Sequence, residues 1–517
     1  MILGDKDRKA TAAGGRTTLD DVFRRAVERR PDALALIDPP DRMETEGVKP
    51  RCLTYVQADR MVSAIAGRLR RIGLSTDAVV GVQLPNNVEG VLTFLGILRA
   101  GMIAAPLPLL WRRADCITAL SRIGAKGLIT CGQHRGVDHC QIAMQVAAEI
   151  FPIRYVCGFG AKLADGVIPL NDLVDIETLD PVPQPGRERQ LNPAGHIAVI
   201  TWDVTADGLI AVARSHLELL SAAVAVVVES KVQQDAVILT TVAATSLAGM
   251  AAGIMPWLLS GGTLAFHEPF SPELFSQQLK NDRCDTLVLP GIVVARLAEA
   301  GMLTAQSGVK NVLAVWRTPE RLAGSPPWRD AWIAMNDITV FGETALVAGR
   351  RGEDGKPSPL PLGPVTAPRG GSNAVQIAEI ARTDAGTVAI RGPMVPRYPF
   401  PAEAERMGQP AMRIAPDGMV NTGYTCRVDG PNALVITGPP AGLVSVGGYR
   451  FGLRGLQELV TGADPNGTLA ALPDTLTGHR LAGHSADRAA IRHALAATGA
   501  NPLVVRAFRD RAQPDAA

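Results

Sequence analysis

The sequence predicts an α/β protein built on parallel sheets, followed by a small β-rich unit and a short α/β tail. Three observations lead there. Short apolar runs alternate with amphipathic stretches of helical period between residues 54 and 130. The same rhythm returns after a proline-containing connection around Pro181–Pro193. From Gly352 to about Pro440, glycine and proline become dense and the apolar runs shorten. Strands alternating with helices of these lengths form βαβ units, and Gly/Pro punctuation marks turns between short strands.

Each element has a local cause. Thr54 with Gln57 three residues on forms a capping box, and Met61, Ile65 and Leu69 repeat at i+4 until Gly73 ends the helix. Val79, Val80, Val82 and Leu84 make a buried strand that stops at Pro85. Asn86 or Asn87 caps the next helix, which carries Val91, Leu92, Leu95 and Leu98 to Gly101. A strand over Ile103–Leu107, a helix around Cys116–Ile123 and a strand at Leu128–Thr130 complete the first series. In the second series, strands are expected at Ile197–Thr201, Val237–Thr241, Leu264–Phe266, Leu287–Leu289, Val312–Val315 and Ile338–Phe341, with helices between them such as Ser271–Lys280. The third texture holds a strand at Thr387–Arg391.

A length of 517 residues suits several domains. The textures divide it into an N-terminal α/β lobe (1–190), a second α/β lobe (191–360), a β-rich subdomain (361–440) and a reduced C-terminal domain (441–517). Basic and acidic residues nearly cancel, 52 against 50, so no single-sign field marks nucleic acid or an acidic membrane as partner. Only nine of the basic residues are lysines, and none follows Lys356. Seven cysteines without pattern suit a reducing cytosol. The first fifteen residues lack the apolar region of a secretory signal. Residues 236–267 carry no Asp, Glu, Lys or Arg and are long enough to span a bilayer. Thr240, Thr241, Thr245, Ser246, Pro256 and Gly261-Gly262 break them instead into strand, helix and strand. The expectation is a cytoplasmic protein with no membrane span.

The pieces "LTYVQADRMVSAIAGRLRRIGL", "VVGVQLPNNVEGVLTFLGILRAGMIAAPL", "GIMPWLLSGGTLAFHEPFSPELF", "DITVFGETA", "GTVAIRGP", "DGMVNTG" and "VSVGGYRFGL" follow one another between about residues 17 and 460. In this order they resemble the adenylate-forming superfamily of acyl-CoA synthetases, adenylation domains and luciferases. The resemblance implies the adenylate-forming fold, and ATP, Mg²⁺ and coenzyme A as cofactors. It also implies a small carboxylic or fatty acid as substrate, activated to an acyl-adenylate and passed to a thiol.

Carried over residue by residue, the resemblance gives a mixed picture. The phosphate loop would be a strand–turn–helix over "TWDVTADGLIAVARSH", in which Thr205 and Gly208 remain useful, Asp207 replaces a Gly and Ile210 replaces the Lys. Asp203 and Asp207 would face a polyanion, which like charges disfavour. In "FGETA" Gly342 and Thr344 match, but Ala345 replaces the Mg²⁺-linked Glu and Glu343 sits one residue early. Tyr424 replaces the Asp that accepts the ribose hydroxyls, and Pro439 replaces a phosphate-directed Arg. The hinge falls at Ala441-Gly442. Ser246 takes the gate position before Gly249, Trp316 and Arg317 crowd the adenine turn, and an apolar pocket is expected from parts of Ser246–Leu259 and Val288–Val294. The lysine that the family's C-terminal domain supplies has no counterpart.

Other clusters carry less. Cys131, His134, His139 and Cys140 invite a zinc reading, but adjacent His139-Cys140 does not chelate in the usual way, so an exposed loop and no metal are expected. His479, His484 and His493 read as surface histidines and Ser485 as an N-cap. Arg-rich Phe23–Arg30 reads as a solvated helix face. Two functions follow: an acyl-CoA synthetase-like protein whose ATP-dependent activation survives in altered form, or a non-catalytic acyl- or ligand-binding regulatory protein on the same fold. A protein partner or a homodimer is compatible with both.

Overall fold

The computed structural model describes residues 16–175, 192–367 and 375–509. Most of the 181–193 connection and the first fifteen residues lie outside them. A seven-stranded sheet runs in the order Gly208–Ser215, Ile197–Thr205, Ile103–Pro106, Val79–Gln83, Gly127–Cys131, Tyr155–Phe159, Ile168–Pro169. It is parallel except for the hairpin of its first two strands. An eight-stranded sheet runs Ala345–Arg350, Ala334–Phe341, Asn311–Trp316, Thr286–Pro290, Val237–Thr240, Thr263–Phe266, Leu34–Ile37, Cys52–Thr54, with an antiparallel strand at each edge. The sheets interleave along the chain, because residues 34–54 join the second and residues 197–215 close the first. Segments 1–190 and 191–360 therefore each contribute to both.

The capping residues act as their types dictate. Thr54 Oγ1 accepts from the Gln57 amide while the Gln57 side chain accepts from the Thr54 amide, opening helix Tyr55–Arg71. Asn87, rather than Asn86, caps Val88–Arg99, and Ser271 caps Pro272–Asn281. Each such cap contributes about 1 kcal/mol. Helices Tyr55–Arg71 and Val88–Arg99, with Leu19–Arg29, His216–Ser230 and the segment from Leu247 to Ser260, share one central core with the inner faces of both sheets. Outer helices cover the other faces: Arg113–Arg122 and His139–Glu149 on the first sheet, Pro272–Asn281 and Gly291–Glu299 on the second.

Residues 236–267 form strand, helix and strand, and among the described residues no helix is long and apolar enough to cross a membrane. A six-stranded antiparallel sheet of residues 360–438 follows, with Thr387–Arg391 as one of its strands. The C-terminal unit is a four-stranded sheet, ordered Tyr449–Gly452, Leu443–Val446, Gly478–His484, Thr468–Asp474, packed on helices Leu453–Ala463 and Arg488–Ala497 around its own core.

Two local expectations are corrected. Cys131, His134, His139 and Cys140 are all buried and not an exposed loop, because His139 and Cys140 open a helix that packs on the first sheet. Asp487 rather than Ser485 caps the C-terminal helix, which begins two residues later; the Ser485 hydroxyl donates to Asp464 at 2.6 Å. The Phe23–Arg30 stretch presents a solvated face, with Arg25, Glu28 and Arg29 exposed, and part of it is also anchored: Arg24 pairs with Asp20 at 2.7 Å, and Arg29 and Arg30 donate to the carbonyls of Ser260 and Gly261 at 3.0 Å.

Candidate functional site

The segment expected as a strand–turn–helix phosphate loop is a continuous β-hairpin. Strands Ile197–Thr205 and Gly208–Ser215 pair in register to the tip, Thr205 opposite Gly208, leaving Ala206-Asp207 as a two-residue turn. Gly208 has φ +122°, a conformation glycine adopts without strain. The Thr205 hydroxyl is consumed inside the turn: it accepts from the Asp207 amide at 3.2 Å and donates to the Gly208 carbonyl at 3.1 Å. The first helical turn starts only after Ser215, whose capping box with Glu218 opens His216–Ser230.

Strand alternation then sorts the hairpin's side chains. Trp202 and Ala211 turn into the outer core, where the Trp202 indole N–H donates to the Pro106 carbonyl at 3.0 Å and the ring lies 5.9 Å from Trp111. Asp203 and its cross-strand partner Ile210 share the opposite face, with Ile210 in the central core. The two aspartates part company. Asp207 is exposed and pairs with Arg413 at 3.1 Å, while Asp203 is turned inward.

Asp203 meets three elements. One oxygen accepts from the Val204 amide at 2.9 Å and from Arg450 Nη1 at 2.8 Å; the other accepts from the Glu343 amide at 2.8 Å. Arg450 Nη2 donates to the Tyr424 hydroxyl, and its guanidinium lies 5.3 Å from the Tyr424 ring centre. Tyr424 is buried and packs edge-on against Phe341, with centroids 5.6 Å apart. Burial pushes the Tyr424 phenol up to about 12, against the opposing pull of Arg450. Gly342, at φ +57°, makes room for all of this, because a Cβ there would collide with both Asp203 and Arg450.

The rest of the "FGETA" turn faces away. The Thr344 amide donates to the Phe341 carbonyl at 3.0 Å, closing the turn, and Ala345 is fully buried. Glu343 is buried beneath it, where Oε2 accepts from the Leu247 amide at 2.8 Å and lies 3.8 Å from Arg214 Nη1. Burial raises the Glu343 carboxyl, offset in part by Arg214. Arg214 in turn donates to the Thr201 hydroxyl at 3.1 Å and to the carbonyls of Glu343 and Thr344.

The substrate-side residues are dispersed. Ser246 caps the helix that begins at Leu247, its hydroxyl accepting from the Gly249 amide at 3.3 Å, and a Cβ at Gly249 would strike the Ala243 carbonyl. Trp316 packs in the outer core of the second sheet, against Gly291, and donates to Asp337 at 2.8 Å. It lines a cavity of about 190 Å³ beside Trp328 and Arg351, on that outer side. Residues 246–258 are buried, and Ile254 among them lines a cavity of about 40 Å³ together with Asn86, Phe94 and Ala244. The orphaned Nδ2 of Asn86 is buried there, in a volume suited to water. At the position expected as a hinge, Gly442 has φ +74°, its carbonyl accepts from the Leu453 amide at 2.9 Å, and it faces Ala206 at the hairpin tip.

The structure thus brings Gly342 and Tyr424 together at Asp203 and Arg450, with Thr205 and Gly208 at the tip of the same hairpin and Gly442 against that tip, while Thr344 faces away and Trp316 lies elsewhere. Sequence reasoning missed Arg450, although it stands inside the quoted "VSVGGYRFGL". Its signal was a lone cation after two glycines in a lysine-free region. The polar groups at this locus are paired with one another. The Thr205 hydroxyl is spent in the turn, Glu343 is spent on the Leu247 amide, and a guanidinium fills the space between Asp203 and Tyr424. Among the described residues no group of three His, Cys, Asp or Glu side chains is arranged to hold a metal.

Comparison with known proteins fits the architecture. The long-chain fatty acid transport protein 1 of Bos taurus is 32% identical over 160 residues, 31% of this chain and 23% of that protein. The nonribosomal peptide synthetase kk1B of Curvularia clavata is 31% identical over 152 residues, 29% of this chain and 1% of that one. The matches thus span less than a quarter of these relatives' lengths. Among solved structures, the amide bond synthetase McbA from Marinactinospora thermotolerans superposes with a TM-score of 0.71 at 17% identity, covering 94% of both chains. Apo MbtA from Mycobacterium smegmatis does so at 0.64 and 20% identity, over 97% of this chain and 93% of that one. These structural likenesses speak for the fold. The family model described as AMP-binding enzyme matches residues 23–349, more than half of the sequence, and this chain belongs to that family.

Proposed function

We propose that this AMP-binding family member binds a small carboxylic or acyl ligand without carrying out adenylation in the family's usual form. One observation carries the reading: Arg450, held by Asp203 and Tyr424, takes the positions that the resemblance assigns to the phosphate loop and the ribose acceptor. Activation of an acid by ATP expels pyrophosphate, and stabilising that polyanion calls for cations aimed at the phosphates. Ile210 and Pro439 stand at two such positions, and no lysine follows Lys356.

A second reading, an altered carboxylate–thiol or amide ligase, is favoured by the retained Gly342–Thr344 turn. It also draws on structural neighbours that include an amide bond synthetase and an ATP-bound MatB. It requires Arg450 to leave the hairpin before nucleotide enters. Titration calorimetry with Mg·ATP decides between them, paired with pyrophosphate exchange across a panel of carboxylic and fatty acids and with coenzyme A as thiol acceptor. The proposal expects no acid-dependent exchange; micromolar ATP affinity with such exchange would overturn it.

A further inference from the structure

Arg450 does more than fill a space. Its partners come from separate sheets: Asp203 from the first parallel sheet and Tyr424 from the antiparallel sheet, while Arg450 belongs to the C-terminal one. The amide of Glu343, at the turn closing the second parallel sheet, completes the Asp203 shell. The Arg450 and Asp203 side chains are only 10% and 12% exposed. Further polar contacts of the C-terminal unit with the body, such as Arg321 with the Thr475 carbonyl and the Ala114 amide with the Gly499 carbonyl at 3.3 Å, end on backbone groups. One glycine is required for the close approach: a Cβ at Gly342 would collide with the ion pair, whereas a Cβ at Gly442 or Gly452 would make only ordinary contact with Ala206, the Thr205 carbonyl or Val204.

We propose that Arg450 is a latch: its ion pair with Asp203 and its bond to Tyr424 fix the C-terminal unit on the hairpin and hold the locus beside Phe341 closed. The charges explain why the latch favours one state. Withdrawing Arg450 leaves Asp203 in a partly buried site with only backbone donors, and an isolated buried carboxylate is strongly disfavoured. The unit therefore leaves only if water floods the hairpin face or another cation replaces the guanidinium. Conversely, a phosphate or carboxylate ligand enters only by taking Arg450 from Asp203. Pro439, Pro440 and the left-handed Gly442 join the latched unit to the body, where the chain can swing without breaking a strand.

The latch stands apart from the question of adenylation, and one set of variants separates the two. Hydrogen-exchange mass spectrometry on the full chain would compare wild type with R450M, D203N, the double variant and R454M. Arg454 is exposed and pairs with Glu458 on the same unit, so it serves as the control. R450M and D203N are each expected to speed exchange at 203–207 and 449–452 at least about tenfold, leaving 127–131 unchanged. The double variant should match the singles, since each removes the same interaction. D203N retains an oxygen acceptor and so reports on the charge even if R450M folds poorly. Unchanged exchange in D203N and R450M overturns the latch. Mg·ATP heat in R450M but not in wild type upholds the latch and overturns the functional reading above.

Discussion

Ile210→Lys restores the cation that the family resemblance expects in the phosphate loop, and the structure says what it will cost. Ile210 is 3% exposed in the central core, on the strand partner of Asp203 and on the same face. Removing a fully buried isoleucine forfeits about 1.5–3 kcal/mol of apolar burial. The lysine stem recovers part of that, but its ammonium must be desolvated or must compete with Arg450 for Asp203. The net expectation is a loss of about 2–4 kcal/mol. No nucleotide affinity is gained, because Tyr424, Glu343 and Thr205 keep their present partners. Urea unfolding followed by tryptophan fluorescence measures the first quantity, and calorimetry with Mg·ATP the second. A variant as stable as wild type that binds Mg·ATP at micromolar concentration would refute the reasoning, since one missing lysine would then account for the site.

Further expectations follow from the same geometry. Gly342→Ala places a Cβ against Asp203 and Arg450 at φ +57°, so about 3–5 kcal/mol should be lost as strain adds to a disrupted ion pair; wild-type unfolding behaviour would contradict this. Glu343→Gln keeps an acceptor for the Leu247 amide but leaves Arg214 without its buried counter-charge. It should cost about 1–3 kcal/mol in urea unfolding, and a stabilised variant would contradict the assignment. His134 and His139 are held down to about 4 and about 3, first by burial, then by Arg135 and Arg112 respectively. Below the free-imidazole value near 6.5 the unfolded chain takes up protons that these rings refuse, so their contribution falls as pH drops from about 6.5 towards 4. Asp38, raised to about 6, and Glu46, raised to about 7, work in the opposite sense, gaining stability as pH falls from about 7 towards 4. Comparing His139→Gln with wild type cancels the carboxylates. The variant's stability relative to wild type should rise by on the order of 2–3 kcal/mol between pH 7 and pH 4.5, and an unchanged difference would exclude a neutral buried His139.

The legible parts of the fold were those fixed by local chemistry. The Thr54–Gln57 box, a cap at Asn86 or Asn87, the helix expected over 271–280, the strand stopping ahead of Pro85 and the strand Thr387–Arg391 all depend on residues within a turn of one another. The break-up of the uncharged stretch 236–267 depended likewise on its own Thr, Pro and Gly. What failed was long-range or was decided by burial. Residues 133–140 look polar and loop-like in sequence, yet packing on the first sheet buries His134 and His139. The hairpin at 197–215 alternates like a strand on both sides of its turn, but reading it through a phosphate-loop template hid that period.

By itself the sequence determined the α/β layering, through the spacing of apolar residues and their caps, and the want of a C-terminal lysine, which no folding can supply. Only the tertiary structure decided what Asp203 and Tyr424 do. Read along the chain, a carboxylate in a phosphate loop looked like a repulsive defect. In three dimensions Arg450, 247 residues further along, turns it into the centre of a buried ion pair. The physical reason is that a partly buried charge is governed by whichever opposite charge the fold brings within hydrogen-bonding distance, and sequence separation does not record that distance.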